Sequence, residues 1–313
     1  MTAAPAIEFH GVSRWFGDTV ALADVSFTAE GGVIGLLGHN GAGKSTTLKL
    51  CGGFSSPSAG SVRIFGVNPR RDPEVFRRIG IVPDHSPPWP FLTAREAVEL
   101  SARLHRVSDH RAAAEAALHT VDLTDTADRA VGGFSHGMRQ RVKLAQALAH
   151  EPDLLLLDEP LNGLDPSQRN HVIDLLTRLG AEGRTVIVSS HVLHEVERMA
   201  PRVLVLVNGH LVAEGETPAI RRLISERPRR VMVTAEGDSR ALARELLATP
   251  SVDAVRIDDR SIELETSDPV ALSHALPVAA TAADALLCTI QPVGDDLESV
   301  YAYLHQRARG QAR

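Results

Sequence analysis

The chain has 313 residues, a net charge of −6 and only two cysteines. That length suggests two domains with real cores, and the acidic balance gives no support to nucleic-acid binding. Cys51 and Cys288 lie far apart and outside any metal-ligand spacing, so both read as buried thiols of a reduced, cytosolic compartment. Residues 1–8 lack a charged start followed by an apolar core, so no signal peptide is expected. The longest apolar runs, such as Leu154–Leu157 and Val203–Val207, are strand-sized and too short to span a bilayer.

In chain order, 7–9 and 25–29 alternate like strands on either side of a turn at Phe16-Gly17-Asp18. Residues 33–37 form a buried strand leading into Gly38-His39-Asn40-Gly41-Ala42-Gly43-Lys44-Ser45, after which Thr46 to Leu50 open a helix. Gly, four residues, then Gly-Lys-Ser is the spacing of a phosphate loop, whose backbone N–H groups converge on phosphate oxygens. In such a loop Lys44 reaches the β- and γ-phosphates and the Ser45 hydroxyl ligates Mg²⁺. Lysine occurs only at 44, 49 and 143, which makes an ammonium at this position more notable.

A strand at 61–65, a helical turn at 73–78 and a strand at 79–82 follow, then a proline-rich loop over 83–90. Thr93-Ala94-Arg95-Glu96 is a capping box opening a helix through about Leu104. Helices are expected over 109–121 and from the cap Ser135 to about Ala149. The buried strand 154–157 ends at Asp158-Glu159, where an aspartate can hold Mg²⁺ and a glutamate can polarise water. Asp165-Pro166 caps another helix with Gly180 as its stop, and strand 185–189 delivers His191. Strands alternating with helices, with ligands at strand carboxyl ends, imply an α/β sheet with its site along one edge.

Arginines at 221, 222, 227, 229 and 230, with Pro228 among them, mark a linker at 221–229. Beyond it, elements at 230–234, 239–249, 252–257, 261–265, 269–275 and 285–290 give a βαββαβ order, the ferredoxin-like pattern of a small α+β domain over 230–313. A last helix at about 295–306 carries Leu297, Val300, Tyr301 and Leu304 on one stripe, which could support a dimer or pack on its own sheet.

Taken as an ordered set, the phosphate loop, Ser135-His136-Gly137-Met138-Arg139-Gln140-Arg141, Leu154 to Pro160, Gly163-Leu164-Asp165 and Ser189-Ser190-His191 resemble the ATP-binding subunits of ABC transporters over roughly residues 7–215. The likeness is to exporters of drugs, lipids, polysaccharides and natural products. It implies a P-loop NTPase cassette at 1–220, with a mixed sheet core and a helical subdomain at about 85–150. By that resemblance Phe16 stacks on adenine, with a core aromatic beside Trp15 as the competing reading. Gly38, His39, Asn40, Gly41, Ala42, Gly43, Lys44, Ser45 and Thr46 hold the phosphates, and Asp158 holds Mg²⁺. Glu159 is the general base, His191 the switch that contacts the γ-phosphate, and Asp165 links two cassettes. Ser135 and Gly137 cap the γ-phosphate of ATP held by the opposite subunit. One chain offers one of each, so the resemblance implies a head-to-tail homodimer sandwiching two ATP, beneath a separately encoded membrane permease at the cytoplasmic face. A different cassette as partner stays open.

Three departures stand out. Asp84 replaces the usual glutamine, keeping an oxygen for Mg²⁺ but losing an amide donor and adding charge near Glu159. His136 takes a glycine position of the signature, with Met138 replacing glutamine, and Leu161 stands where Ser or Thr is common. Rival readings are a permease-free ATPase of the same family and an ATP-binding sensor with little hydrolysis. A GTPase would need an Asn-Lys-x-Asp segment, and no Asn-Lys pair occurs. Trp89 and Phe91 are offered as permease anchors on the segment from Asp84 to about Val98, against burial in the helical subdomain.

Overall fold

The computed structural model describes residues 4–84, 88–225, 229–258 and 261–293. Two compact units meet between Pro218 and Ala219.

In the first unit, β1 (Ile7–Phe16) pairs antiparallel with β2 (Thr19–Ala29) and β4 (Ala59–Ile64), in the order β2-β1-β4. Alternation along β1 buries Ile7, Phe9 and Val12, and the Phe9 and Phe27 rings stack 4.6 Å apart. The main sheet runs β5-β6-β7-β3-β8-β9. Its members are β3 (Gly32–Leu37), β5 (Ile79–Val82), β6 (Leu154–Leu157), β7 (Thr185–Ser190), β8 (Arg202–Val207) and β9 (His210–Glu216). All pair parallel except β9, which runs antiparallel to β8 along one edge. All four leucines of β6 are fully buried, as continuous apolar strands covered on both faces must be. Truncating any of them to alanine would cost about 2–5 kcal/mol.

Helix α1 (Lys44–Cys51) follows β3 directly. Helices α2 (Ala94–Leu104), α3 (His110–Thr120) and α4 (His136–Leu148) pack on one another. The Thr93–Glu96 capping box forms at the start of α2, and Asp109 and Ser135 cap α3 and α4 with their side chains. Residues Pro73–Arg78 make a 3-10 turn. Helix α5 (Pro166–Ala181) is capped by Asp165 and followed by α6 (Leu193–Glu197) and α7 (Thr217–Ser225).

Three expectations need correction. Gly180 does not stop α5; it lies inside it, where an added Cβ would sit 2.7 Å from Val33 Cγ2. The chain turns instead at Gly183, at φ +95°. The linker expected at 221–229 is helical over 221–225 as the end of α7, and Arg229 already belongs to β10; residues 226–228 lie outside the described residues. Cys288 is exposed rather than buried, on an edge strand of the second unit, whereas Cys51 is buried and its thiol pKa is raised by desolvation.

The second unit holds β10 (Arg229–Glu236), α8 (Ser239–Leu247), β11 (Ala254–Asp258), β12 (Ser261–Thr266), α9 (Pro269–Ala282) and β13 (Leu286–Val293). Its antiparallel sheet runs β11-β12-β10-β13, the split βαβ arrangement. Val233, Ile262, Leu264, Leu242, Leu246 and Leu272 form its core. Asp238 and Asp268 cap the two helices by accepting from first-turn N–H groups. The stripe at Leu297, Val300, Tyr301 and Leu304 lies outside the described residues.

Candidate functional site

The site is built at the carboxyl ends of β3, β6 and β7. The loop from Gly38 to Gly43 leaves β3 and turns into α1 at Gly43, whose φ of +109° only glycine adopts readily. A Cβ there would also sit 2.7 Å from Ala21 O and Leu22 Cδ2. The hairpin between β8 and β9 braces the loop: Gly209 N donates to Ala42 O (3.0 Å), and Ala23 N donates to Gly209 O (2.8 Å).

Six other helices of eight residues or more start with a side-chain cap, from Thr93, Asp109, Ser135, Asp165, Asp238 or Asp268; α1 has none. Its first-turn N–H groups are therefore left without a side-chain cap, as anion binding there would need. His39 Nδ1 lies 2.7 Å from Asn40 O, Ser45 is exposed at the start of α1, and Thr46 is half-buried.

Lys44 is buried, and its ammonium donates to Gly38 O (2.6 Å) and His39 O (3.3 Å). It also lies 3.3 Å from Glu159 Oε1, an ion pair without hydrogen-bond alignment, since that buried oxygen has no hydrogen-bond partner. The other Glu159 oxygen, Oε2, accepts from His191 Nδ1 at 3.0 Å. Lys44, at the start of α1, and His191, just past β7, thus meet on one carboxylate.

Glu159 itself has φ +48°, an uncommon conformation for a residue with a Cβ. Ser189 on the neighbouring strand fixes it. The buried Ser189 hydroxyl accepts from Glu159 N (2.8 Å) and donates to Asp158 Oδ1 (2.7 Å). This clamp was not read from the sequence, although Ser189 belongs to the Ser-Ser-His run; the signal needed was the pairing of β6 with β7.

Asp158 precedes the Glu159 that meets Lys44, and Ser45 follows Lys44, but among the described residues no three carboxylate, histidine or cysteine side chains are placed to hold a metal ion by themselves. That donor set fits a hard cation which takes one carboxylate, one hydroxyl and phosphate oxygens, as Mg²⁺ does.

The remaining expected residues lie further out. Asp84 follows β5, and Lys143 on α4 donates to Pro83 O (3.1 Å) and Asp84 O (2.9 Å). Burial lowers the Lys143 pKa, and the Asp84 charge opposes that shift. Ser135 Oγ accepts from Met138 N, leaving its own O–H free to donate. At Gly137 an added Cβ would fall 1.8 Å from Gln168 Oε1, the flexible end of a side chain on α5, which would have to move aside. His136 is exposed and bonds Asn162 O at 3.1 Å, so its side chain lies across the turn before Asp165. Leu161 is buried. Phe16 ends β1 with 49% exposure, so it is not the core aromatic of the competing reading; the Arg14 guanidinium covers one face of its ring at 4.3 Å. Trp89 and Phe91 are likewise exposed rather than buried among the helices.

A family model described as "ABC transporter" matches residues 22–162. A Nod factor export ATP-binding protein I of Burkholderia lata is 39% identical over 224 residues, covering 70% of this chain and 73% of the relative. That of Burkholderia thailandensis is 36% identical over 273 residues, 86% of this chain and 88% of the relative. The chain belongs to the ABC transporter family. It is an ABC ATP-binding subunit, and ATP hydrolysis coupled to transport is the activity of that family. Among solved structures, a dimeric ATP-binding cassette in a post-hydrolysis state, bound to ADP and Pi, aligns with a TM-score of 0.63 at 28% identity. It covers 67% of this chain and 98% of its own.

Proposed function

We propose that this chain is the motor subunit of an exporter, hydrolysing ATP on Mg²⁺ to drive a separately encoded membrane permease. The observation that carries the reading is the convergence of Lys44 and His191 on Glu159 at the mouth of a phosphate loop. In this reading residues 1–220 are the cassette, about 85–150 its helical subdomain and 230–313 an accessory domain. The relatives are export ATP-binding proteins, which supports export here, and their cargo is theirs.

The loop residues Gly38 to Thr46 bind the phosphates through backbone N–H groups, with Lys44 donating to the β- and γ-oxygens. Ser45 and Asp158 would hold Mg²⁺, with Asp84 as a further oxygen, and the chemistry supplied there would be neutralisation of phosphate charge. Glu159 takes a proton from the attacking water, and its carboxylate is oriented by the Ser189 clamp and by His191. His191 also reports the γ-phosphate, and Phe16 offers its uncovered face to adenine.

Ser135, Gly137 and Asp165 face a second copy. The α4 N-terminus, with its free serine O–H, completes the partner's nucleotide site in a head-to-tail homodimer. Among the described residues no helix is long and apolar enough to cross a membrane, which fits a peripheral subunit beneath a permease. A cleft of about 590 Å³ lined by Phe54, Phe76, Ile79, Ile81, His105 and Gln146 offers an apolar seat for it, with Trp89 and Phe91 exposed on the adjoining segment.

Glu159→Gln tests the reading. It should abolish phosphate release while leaving an ATP-stabilised dimer visible by gel filtration. Turnover of that variant at the parent rate would refute the assignment.

A further inference from the structure

The last two residues of β7 and the histidine after them serve three different neighbours. Ser189 holds Asp158 and Glu159, and His191 holds Glu159. Ser190, sent to the opposite face by strand alternation, does neither. Its buried hydroxyl accepts from Val192 N (3.0 Å) and donates to Glu195 Oε2 (3.3 Å). Glu195 is only 5% exposed, and its Oε1 lies 3.1 Å from Arg169 Nη1. Arg169 stands in the first turn of α5, where its own N–H donates to Asp165 O at 2.9 Å. Its second terminal nitrogen donates to Leu164 O at 3.3 Å.

One guanidinium therefore grips the turn carrying Asp165 and, through a buried carboxylate, the segment carrying His191. A carboxylate so far from water is costly unless paired, and apolar packing would join the two elements at least as well. Directional bonds do something packing does not: they fix where both segments sit. We propose that Arg169 and Glu195 are positioning residues for ATP hydrolysis, setting His191 and the Asp165 turn as one piece. The inference rests on the nucleotide and dimer roles assigned above to those two residues.

The test compares kcat and KM for ATP in the wild type, Arg169→Met, Glu195→Gln and the double variant, with thermal melting to establish folding. Each folded single variant should lose about tenfold or more in kcat while KM stays within about twofold, the mark of a group that orients rather than binds. The double variant should be no worse than the worse single, because both act through one contact. If Arg169→Met does not fold, Glu195→Gln and the double variant, which strands no buried charge, carry the comparison. Folded variants that turn over within about twofold of wild type, or losses that multiply in the double, overturn the proposal. An inert wild type, or a fully active Glu159→Gln, would instead sink the underlying reading.

Discussion

Ser189→Ala should cost more than a typical buried serine truncation. The buried hydroxyl makes two bonds in a partly buried site: one to a carboxylate oxygen at 2.7 Å and one from Glu159 N at 2.8 Å. Losing a bond to a charged acceptor and stranding a partly buried N–H together cost about 2–3 kcal/mol. The stranded group belongs to a residue at φ +48°, a conformation that costs about 1 kcal/mol or more and persists only when its surroundings enforce it. Without the clamp, the 159 peptide relaxes and the carboxylate leaves its place, which should lower kcat about 10- to 100-fold. Both tryptophans, Trp15 and Trp89, lie in the first unit, so urea unfolding followed by fluorescence reports that unit alone. A stability change under about 0.5 kcal/mol with kcat within about twofold of wild type would refute the clamp.

Phe16→Ala should raise the KM for ATP several-fold with little change in urea stability, because the ring is half exposed, and Phe16→Trp should restore binding. Gly137→Ala forces Gln168 aside at the entry of α4; ATP-dependent dimerisation of the Glu159→Gln background, followed by gel filtration, should weaken while the monomer melts near the parent temperature. Burial first, and the stacked His105 ring second, push the His150 pKa down to about 4. The unfolded chain then binds a proton below about pH 6.5 that the folded chain refuses. Stability should be complete above that pH, fall as pH drops through the interval to about 4, and level off below it. For this partly exposed ring the loss is about 1–2 kcal/mol, discounted for solvent screening. His150→Gln should flatten that part of the urea-midpoint profile.

Much of this architecture is local and so was readable in advance. The phosphate loop, the Thr93 box and the caps at Ser135 and Asp165 are each written within a few consecutive residues, and each forms. The errors came where tertiary contact overrules local preference. Gly180 looks like a stop, but close approach to Val33 is what requires it. Arginines suggested a linker where α7 continues, because charge outweighed the apolar period of a helix that buries Ile220. The Ser189 clamp depends on which strand lies beside β6, and Asp84 meets Lys143 across 59 positions. No window of sequence displays such pairings.

The placement of β3 has a consequence for how the protein is made. Its hydrogen-bonding neighbours are β7 and β8, both translated far later, and its loop is braced by Gly209. At ribosomal speed the nascent chain carries an unsupported phosphate loop for roughly 10–30 s before its neighbours emerge. The capacity to hold fuel therefore arrives near the end of synthesis of the first unit, and a ribosome stalled before residue 185 would display the motif without the grip.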